Sequence, residues 1–173
     1  MTTPGLEFWD ESGAFGARIS PDALSKVLES CRRSAPEETG GILVGYYTDA
    51  LDCAVVTGAS ERPPDSRSGR TWFVRGTAGL QGLVDGLWRG KERRYYLGEW
   101  HFHPDGSPKP SPTDERQMAK IAGSASYKCP EPVLVLAGGS ASSACDVRVY
   151  VFTKARASAP IELRARDEAE EAP

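Results

Sequence analysis

The sequence predicts an α+β fold, a curved mixed β-sheet with helices on its flanks. Three observations predict it. Strand-like and amphipathic helical runs are interleaved, but without the strict alternation of a doubly wound sheet. Hydrophobic residues make up 39% of the 173 positions, enough for one core and too many for a disordered chain. Eighteen glycines and 13 prolines punctuate the chain with turns but show no collagen-like period.

Leu6 to Trp9 and Ala17 to Ser20 read as short strands separated by Gly13 and Gly16. A helix follows. Ser20 suits its N-cap and Pro21 its first position, Leu24, Val27, Leu28 and Cys31 share one face, and Ala35-Pro36 closes it. Thr39 to Tyr47 is apolar, glycine-punctuated and short, hence a buried strand. Cys53 to Thr57 is another. Ser60 to Gly69 reads as an exposed loop, and Thr71 to Val74 resumes a strand. Thr77 is a candidate cap for a helix lined by Leu80, Leu83, Val84 and Leu87. Tyr95 to His103 is the next strand. Three prolines stiffen the loop from Pro104 to Pro112. Thr113 to Ile121 reads as a helix with an acidic first turn. Val133 to Leu136 and Val147 to Phe152 complete the strands. The expected organisation is a single domain over 1–155 and a charged, partly disordered tail over 156–173.

Net charge is −3 and the isoelectric point about 5.5. That balance offers no basic face for nucleic acid. No apolar run approaches the roughly 20 residues that span a membrane. The first fifteen residues lack the basic start and apolar stretch of a signal peptide, so a cytoplasmic location is expected. The cysteines, Cys31, Cys53, Cys129 and Cys145, form no C-x-x-C pair and are read as buried small hydrophobes.

The only two histidines, His101 and His103, carry the chemistry. Two apart on a strand, they project from one face about 7 Å apart along the chain, while Trp100 and Phe102 point into the core. Such a pair can chelate one metal ion. Catalytic zinc takes three protein ligands and a water, so a carboxylate or thiolate must complete the set. Asp114 is the best candidate, because the stiff loop can fold its helix back over the strand and the helix N-terminus favours an anion. On spacing alone the histidines also fit a surface pair, with Asp114 a helix cap.

Further residues narrow this. His101-Phe102-His103-Pro104 followed by Ser111-x-x-Asp114 matches H-x-H-P-x(6)-S-x(2)-D. Upstream, Glu38-x-x-Gly41-x-Leu43-x-Gly45 matches E-x-x-G-x-L-x-G on an apolar strand. Over roughly Ile19 to Phe152 the chain resembles the JAB1/MPN/Mov34 family of JAMM zinc metalloproteases. The resemblance implies the MPN fold, one zinc held by His101, His103 and Asp114, Glu38 as general base, and Ser111 as a hydrogen-bond donor to the carbonyl oxygen. Ser111 also suits a helix cap. Glu37 is chemically equal to Glu38; the register to Gly41, Leu43 and Gly45 selects Glu38. Position 102 is Phe where the family often has Ser or Thr, a change expected to affect packing alone. Glu99 shares the histidine face, either as a partner to a ligand histidine or as an exposed strand residue.

The Gly98-Glu99-Trp100-His101 string, the strand Thr71 to Arg75 and the helix toward Trp88 look like the small bacterial JAMM proteins encoded beside E1-like and E2-like enzymes in antiphage operons. That resemblance implies a cytoplasmic isopeptidase that removes or trims a ubiquitin-like protein, with E1-like and E2-like enzymes as partners and neither nucleic acid nor membrane involved. Ubiquitin-like tails are extended and can add to an exposed strand edge beside the metal. The alternatives are a JAMM peptidase that releases a small amino acid from a sulfur-carrier protein, and a non-catalytic MPN scaffold.

Overall fold

The computed structural model describes residues 5–140, 145–156 and 159–166. In chain order the elements are β1 (Leu6–Trp9), β2 (Gly16–Ile19), α1 (Pro21–Ser34), β3 (Thr39–Tyr47), β4 (Cys53–Ala59), β5 (Arg67–Ser68), β6 (Phe73–Val74), α2 (Leu80–Arg89), β7 (Tyr95–Pro104), α3 (Pro112–Gly123), β8 (Val133–Gly139), β9 (Asp146–Val151) and β10 (Ile161–Ala165). The expected mixed sheet curves until it closes on itself, in the order β1-β10-β9-β8-β7-β3-β4-β2. Neighbours are antiparallel except β2–β4 and β7–β8. A separate hairpin, β5–β6, stands outside it.

Alternation along β7 sorts its side chains. Trp100 and Phe102 lie in the main core with Leu43, Val56, Val135 and Val149, and α1 adds Ala23, Val27 and Cys31 to the same cluster. Phe102 is fully buried, so its large side chain is a packing element. Glu99 and His101 occupy the opposite face, paired across the ladders with Ile42 and Gly40 of β3 and with Leu134 and Leu136 of β8. Leu134 and Leu136 pack under Met118 and Ile121 of α3. This second cluster fixes α3 against the histidine-bearing face.

Several expectations change. Ser20 and Pro21 start α1 as read, and Ser20 Oγ accepts from Ala23 N. Thr77 does not cap α2. The helix begins at Leu80 after Gly79, which takes the left-handed conformation (φ 80°) and makes no side-chain cap; the Thr77 carbonyl accepts from Leu80 N. Segment 60–69 is more than an exposed loop: Ser60, Pro63 and Ser66 are buried and Arg67–Ser68 forms β5. The tail expected from 156 contributes β10, whose Leu163 is buried and which joins β9 to β1. The Ile161, Leu163, Ala165 alternation gives it one apolar side. The end of that tail, 167–173, lies outside the described residues.

Candidate metal centre

The site is assembled where β3, β7 and the start of α3 meet. The Asp105–Pro110 loop docks against the ends of β7 and β8: Gly106 N donates to the His103 carbonyl, Gly139 N to the Gly106 carbonyl, and Tyr150 Oη to the Pro108 carbonyl. The chain then enters α3 at Ser111. Ser111 Oγ accepts from Asp114 N, and Ser111 N donates to Asp114 Oδ2, a reciprocal capping box with Pro112 at N1. One motif thus sets the helix start and aims the Asp114 carboxylate at β7.

His101 Nδ1 donates to Asp114 Oδ1 at 2.8 Å, and His103 Nε2 lies 3.3 Å from Asp114 Oδ2. Ser111 Oγ also donates to Asp114 Oδ2 at 2.7 Å. His103 Nδ1 sits 3.3 Å from the Ser107 carbonyl. Phe73 of β6 meets the His101 ring edge-on, with centroids 5.6 Å apart. Position 40 must be glycine for this contact: a Cβ there would lie 2.7 Å from both the His101 ring and the Phe73 ring.

The electrostatics follow from burial and contact. Burial opposes ionisation of Asp114, but hydrogen bonds from His101, His103 and Ser111 outweigh it and hold its carboxyl far below the usual range. Burial pulls His103 down, while Asp114, the Ser107 carbonyl and Glu38 more than restore it, so its pKa is raised. Glu38 is half-buried at the foot of β3. Burial raises its pKa, against the opposing pull of His103 and His101. A carboxyl poised closer to neutrality is a better proton acceptor and donor. Glu37, next to it, is exposed and accepts a hydrogen bond from Ser68 Oγ of β5 at 3.0 Å. The structure therefore brings Glu38, His101, His103, Ser111 and Asp114 together and turns Glu37 away.

The donor set fits a zinc ion. His101 gives its Nδ1 proton to Asp114, so its neutral ring carries a lone pair on Nε2, an atom that is buried without a hydrogen-bond partner. His103 Nε2 and Asp114 Oδ2 are two acceptors 3.3 Å apart whenever the ring is neutral, which calls for a cation between them. That spacing matches the edge of a tetrahedron with bonds of about 2.0–2.1 Å. Among the described residues, no three ligand side chains surround a common point, because His101 turns its Nδ1 to Asp114.

Glu99 departs from both sequence readings. It is fully buried and does not reach a histidine. Arg75 Nε donates to its Oε2 at 2.6 Å and Tyr96 Oη to its Oε1 at 2.8 Å. Arg75, two residues beyond Phe73 at the end of β6, was not legible as a site residue. The signal was present only as the alternation Phe73, Arg75 along a segment too short to declare its partner strand.

This arrangement is that of a JAB-domain peptidase, and comparison with known proteins agrees. The family of prokaryotic homologues of the JAB domain matches residues 20–162. The chain is 39% identical over 164 residues to a CD-NTase/cGAS isopeptidase from Enterobacter hormaechei subsp. hoffmannii, covering 95% of this chain and 89% of that protein. It is 32% identical over 123 residues to a probable metalloprotease of Sinorhizobium fredii, covering 70% and 74%. The solution structure of protein DSY2949 from Desulfitobacterium hafniense has the same fold, with a TM-score of 0.58 and 16% identity over 86% of this chain and 88% of that one. The chain belongs to the prokaryotic JAB family and is a peptidase of the JAMM type with an MPN-like fold. No helix among the described residues is long and apolar enough to cross a membrane.

Proposed function

We propose that this chain is a zinc-dependent isopeptidase that hydrolyses the amide bond following the C-terminus of a conjugated protein, in an antiphage pathway that uses ubiquitin-like chemistry. The observation that carries the reading is the placement of Glu38: a half-buried carboxyl facing His103, Asp114 and His101 without being hydrogen-bonded to them. In this reading His101, His103 and Asp114 hold one zinc. When bound, the metal supplies Lewis acidity to the scissile carbonyl and lowers the pKa of the attacking water toward neutrality. Glu38 takes the water proton and returns it to the leaving amine. Ser111 Oγ turns its proton from Asp114 Oδ2 to the carbonyl oxygen, a donation worth about 3–4 kcal/mol at the transition state. Its role as cap and its role as donor are compatible, because the cap uses the oxygen lone pair and the donation uses the proton.

The name of the Enterobacter relative couples an isopeptidase to a CD-NTase/cGAS protein. We take a conjugate of such a protein, or of a ubiquitin-like protein made by the same operon, as the substrate, with E1-like and E2-like enzymes as the partners that form it, all in the cytoplasm. An extended tail can pair with the free edge of the β5–β6 hairpin, where Trp72 and Val74 are exposed. The test fuses the C-terminus of the candidate protein to a reporter. The expected result is one cut at the junction, located by mass spectrometry and abolished by chelator. Comparable cleavage of unrelated unfolded proteins would instead define a general peptidase.

A further inference from the structure

A groove of about 900 Å³ runs between α2 and β7, walled by Leu80, Val84 and Trp88 on one side and by Tyr95, Tyr96 and Tyr127 on the other. No residue of α2 is fully buried. Its apolar side faces this groove, and Trp88 and Leu83 are exposed. The volume lies within the range of sites built to hold a ligand. Ile42 and Arg75 belong to its lining, and both tie it to the candidate metal centre. Ile42 pairs across the ladder with Glu99, and Gly40, two residues away on the same face, pairs with His101. The groove therefore opens one strand repeat, about 7 Å, from the histidine row.

Arg75 is the built feature at that opening. Its side chain is 6% exposed and that of Glu99 is 0%. A buried ion pair is a poor source of stability, since desolvation offsets the attraction, so its place here needs another reason. Nε donates to Glu99, Nη1 to the Gly76 carbonyl at 2.8 Å, and Nη2 to Tyr127 Oη at 3.3 Å. A guanidinium has five N–H groups. Among the described residues, two remain without an acceptor, one on each terminal nitrogen. Glu99, itself held by Tyr96, balances the charge from behind and leaves a rigid neutral pair of donors at the groove floor. At the far end, Arg93 stacks over the Trp88 ring at 5.4 Å, and exposed Lys128 lines the opposite wall.

We propose that this groove holds the extended C-terminal segment of the protein substrate, with Arg75 donating to a main-chain carbonyl of that segment and Glu99 positioning Arg75. The inference rests on the peptidase reading above. Continuity with the metal centre selects a substrate chain as the occupant. The aromatic walls select bulky apolar side chains, and the Arg93 and Lys128 rim selects acidic residues farther from the cleaved bond.

The test uses the full chain loaded with zinc and a random library of ten-residue peptides that carry a photo-crosslinking benzoylphenylalanine and a C-terminal amide-linked fluorophore. Adducts should concentrate on Trp88, Tyr95 and Tyr127, with captured peptides enriched in acidic residues, and Trp88→Ala should reduce them at least fivefold. Dispersed adducts, or crosslinks joining two copies of this chain, overturn the proposal. Fluorophore release is read in the same samples. Capture in the groove without chelator-sensitive release overturns the peptidase reading and keeps the groove; release without capture overturns the groove alone. On the best captured peptide, Arg75→Lys retains the charge facing Glu99 but lacks the fork. It should raise KM about tenfold with kcat within twofold, and Glu99→Gln should act in the same direction. Because either change can loosen the fold, Lys128→Ala, on the surface, should independently lower the acidic enrichment. An unchanged KM in folded Arg75→Lys contradicts the role given to the guanidinium.

Discussion

His101 Nδ1 and Asp114 Oδ1 lie 2.8 Å apart, joining the middle of β7 to the first turn of α3 across thirteen residues of chain. That contact is made by a helix cap. Ser111 and Asp114 satisfy each other's backbone N–H groups, and the same carboxylate faces both histidines. Local helix chemistry and the geometry of the site are one arrangement, so mutations at the cap act on both.

Ser111→Ala removes the side-chain acceptor for Asp114 N and the donor to Asp114 Oδ2. The loss of an N-cap costs about 1 kcal/mol, which lowers Tm by roughly 2–4 °C in a domain of this size. Activity on a junction reporter should fall much further, by two to three orders of magnitude. Ser111→Thr, which keeps the hydroxyl, should recover most of both. Parallel melting curves and rates check this; equal small losses in both would reduce Ser111 to a cap.

The metal ligands are tested by composition. Purified protein should carry about one zinc per chain by elemental analysis. His101→Ala and Asp114→Ala should each lose most of it, and Asp114→Ala should also destabilise the start of α3. Full retention in both variants would place the metal elsewhere.

The site was more legible in the sequence than its surroundings. The H-x-H spacing on a strand, a carboxylate at a capped helix start and a glutamate entering an apolar strand are short-range patterns, and each maps onto local geometry. Glu99 was not legible, because its partners Arg75 and Tyr96 come from segments that meet only through the tertiary fold. The start of α2 was misread for a related reason: Thr77 is a good cap by type, yet the turn closes through its carbonyl and Gly79. β10 was hidden by composition. Its five residues sit among charges, and two of them, Glu162 and Arg164, are themselves charged and exposed.

β10 therefore gives a stability prediction. It bridges β9 and β1 and so closes the sheet. A chain ended after Pro160 loses buried Leu163 and both ladders, and leaves two strand edges open. Leu163→Asp places an unpaired charge in the core. Both should abolish cooperative unfolding or yield insoluble protein. A truncated chain that melts with the same Tm as the full chain would show that closure contributes nothing.

The cysteines should differ in reactivity. Burial pushes the Cys31 thiol up to about 12 and the Cys129 thiol up to about 11. The thiolate is the reactive form, so both stay protonated and inert at pH 8. Cys145 is only half-buried. Iodoacetamide on folded protein should modify Cys145 first, and Cys31 and Cys129 only on unfolding, as read by peptide mass spectrometry. Early modification of Cys31 would contradict its burial.

The central claim is that Glu38 moves the proton while the histidines and Asp114 hold the metal. The most direct measurement compares zinc content and junction-cleavage rate in Glu38→Gln and Glu37→Gln. Glu38→Gln should keep about one zinc per chain and lose cleavage by a factor of about 10²–10⁴, whereas Glu37→Gln should match the unmodified protein in both. Full cleavage by Glu38→Gln, or loss of cleavage in Glu37→Gln with zinc retained, would contradict the account.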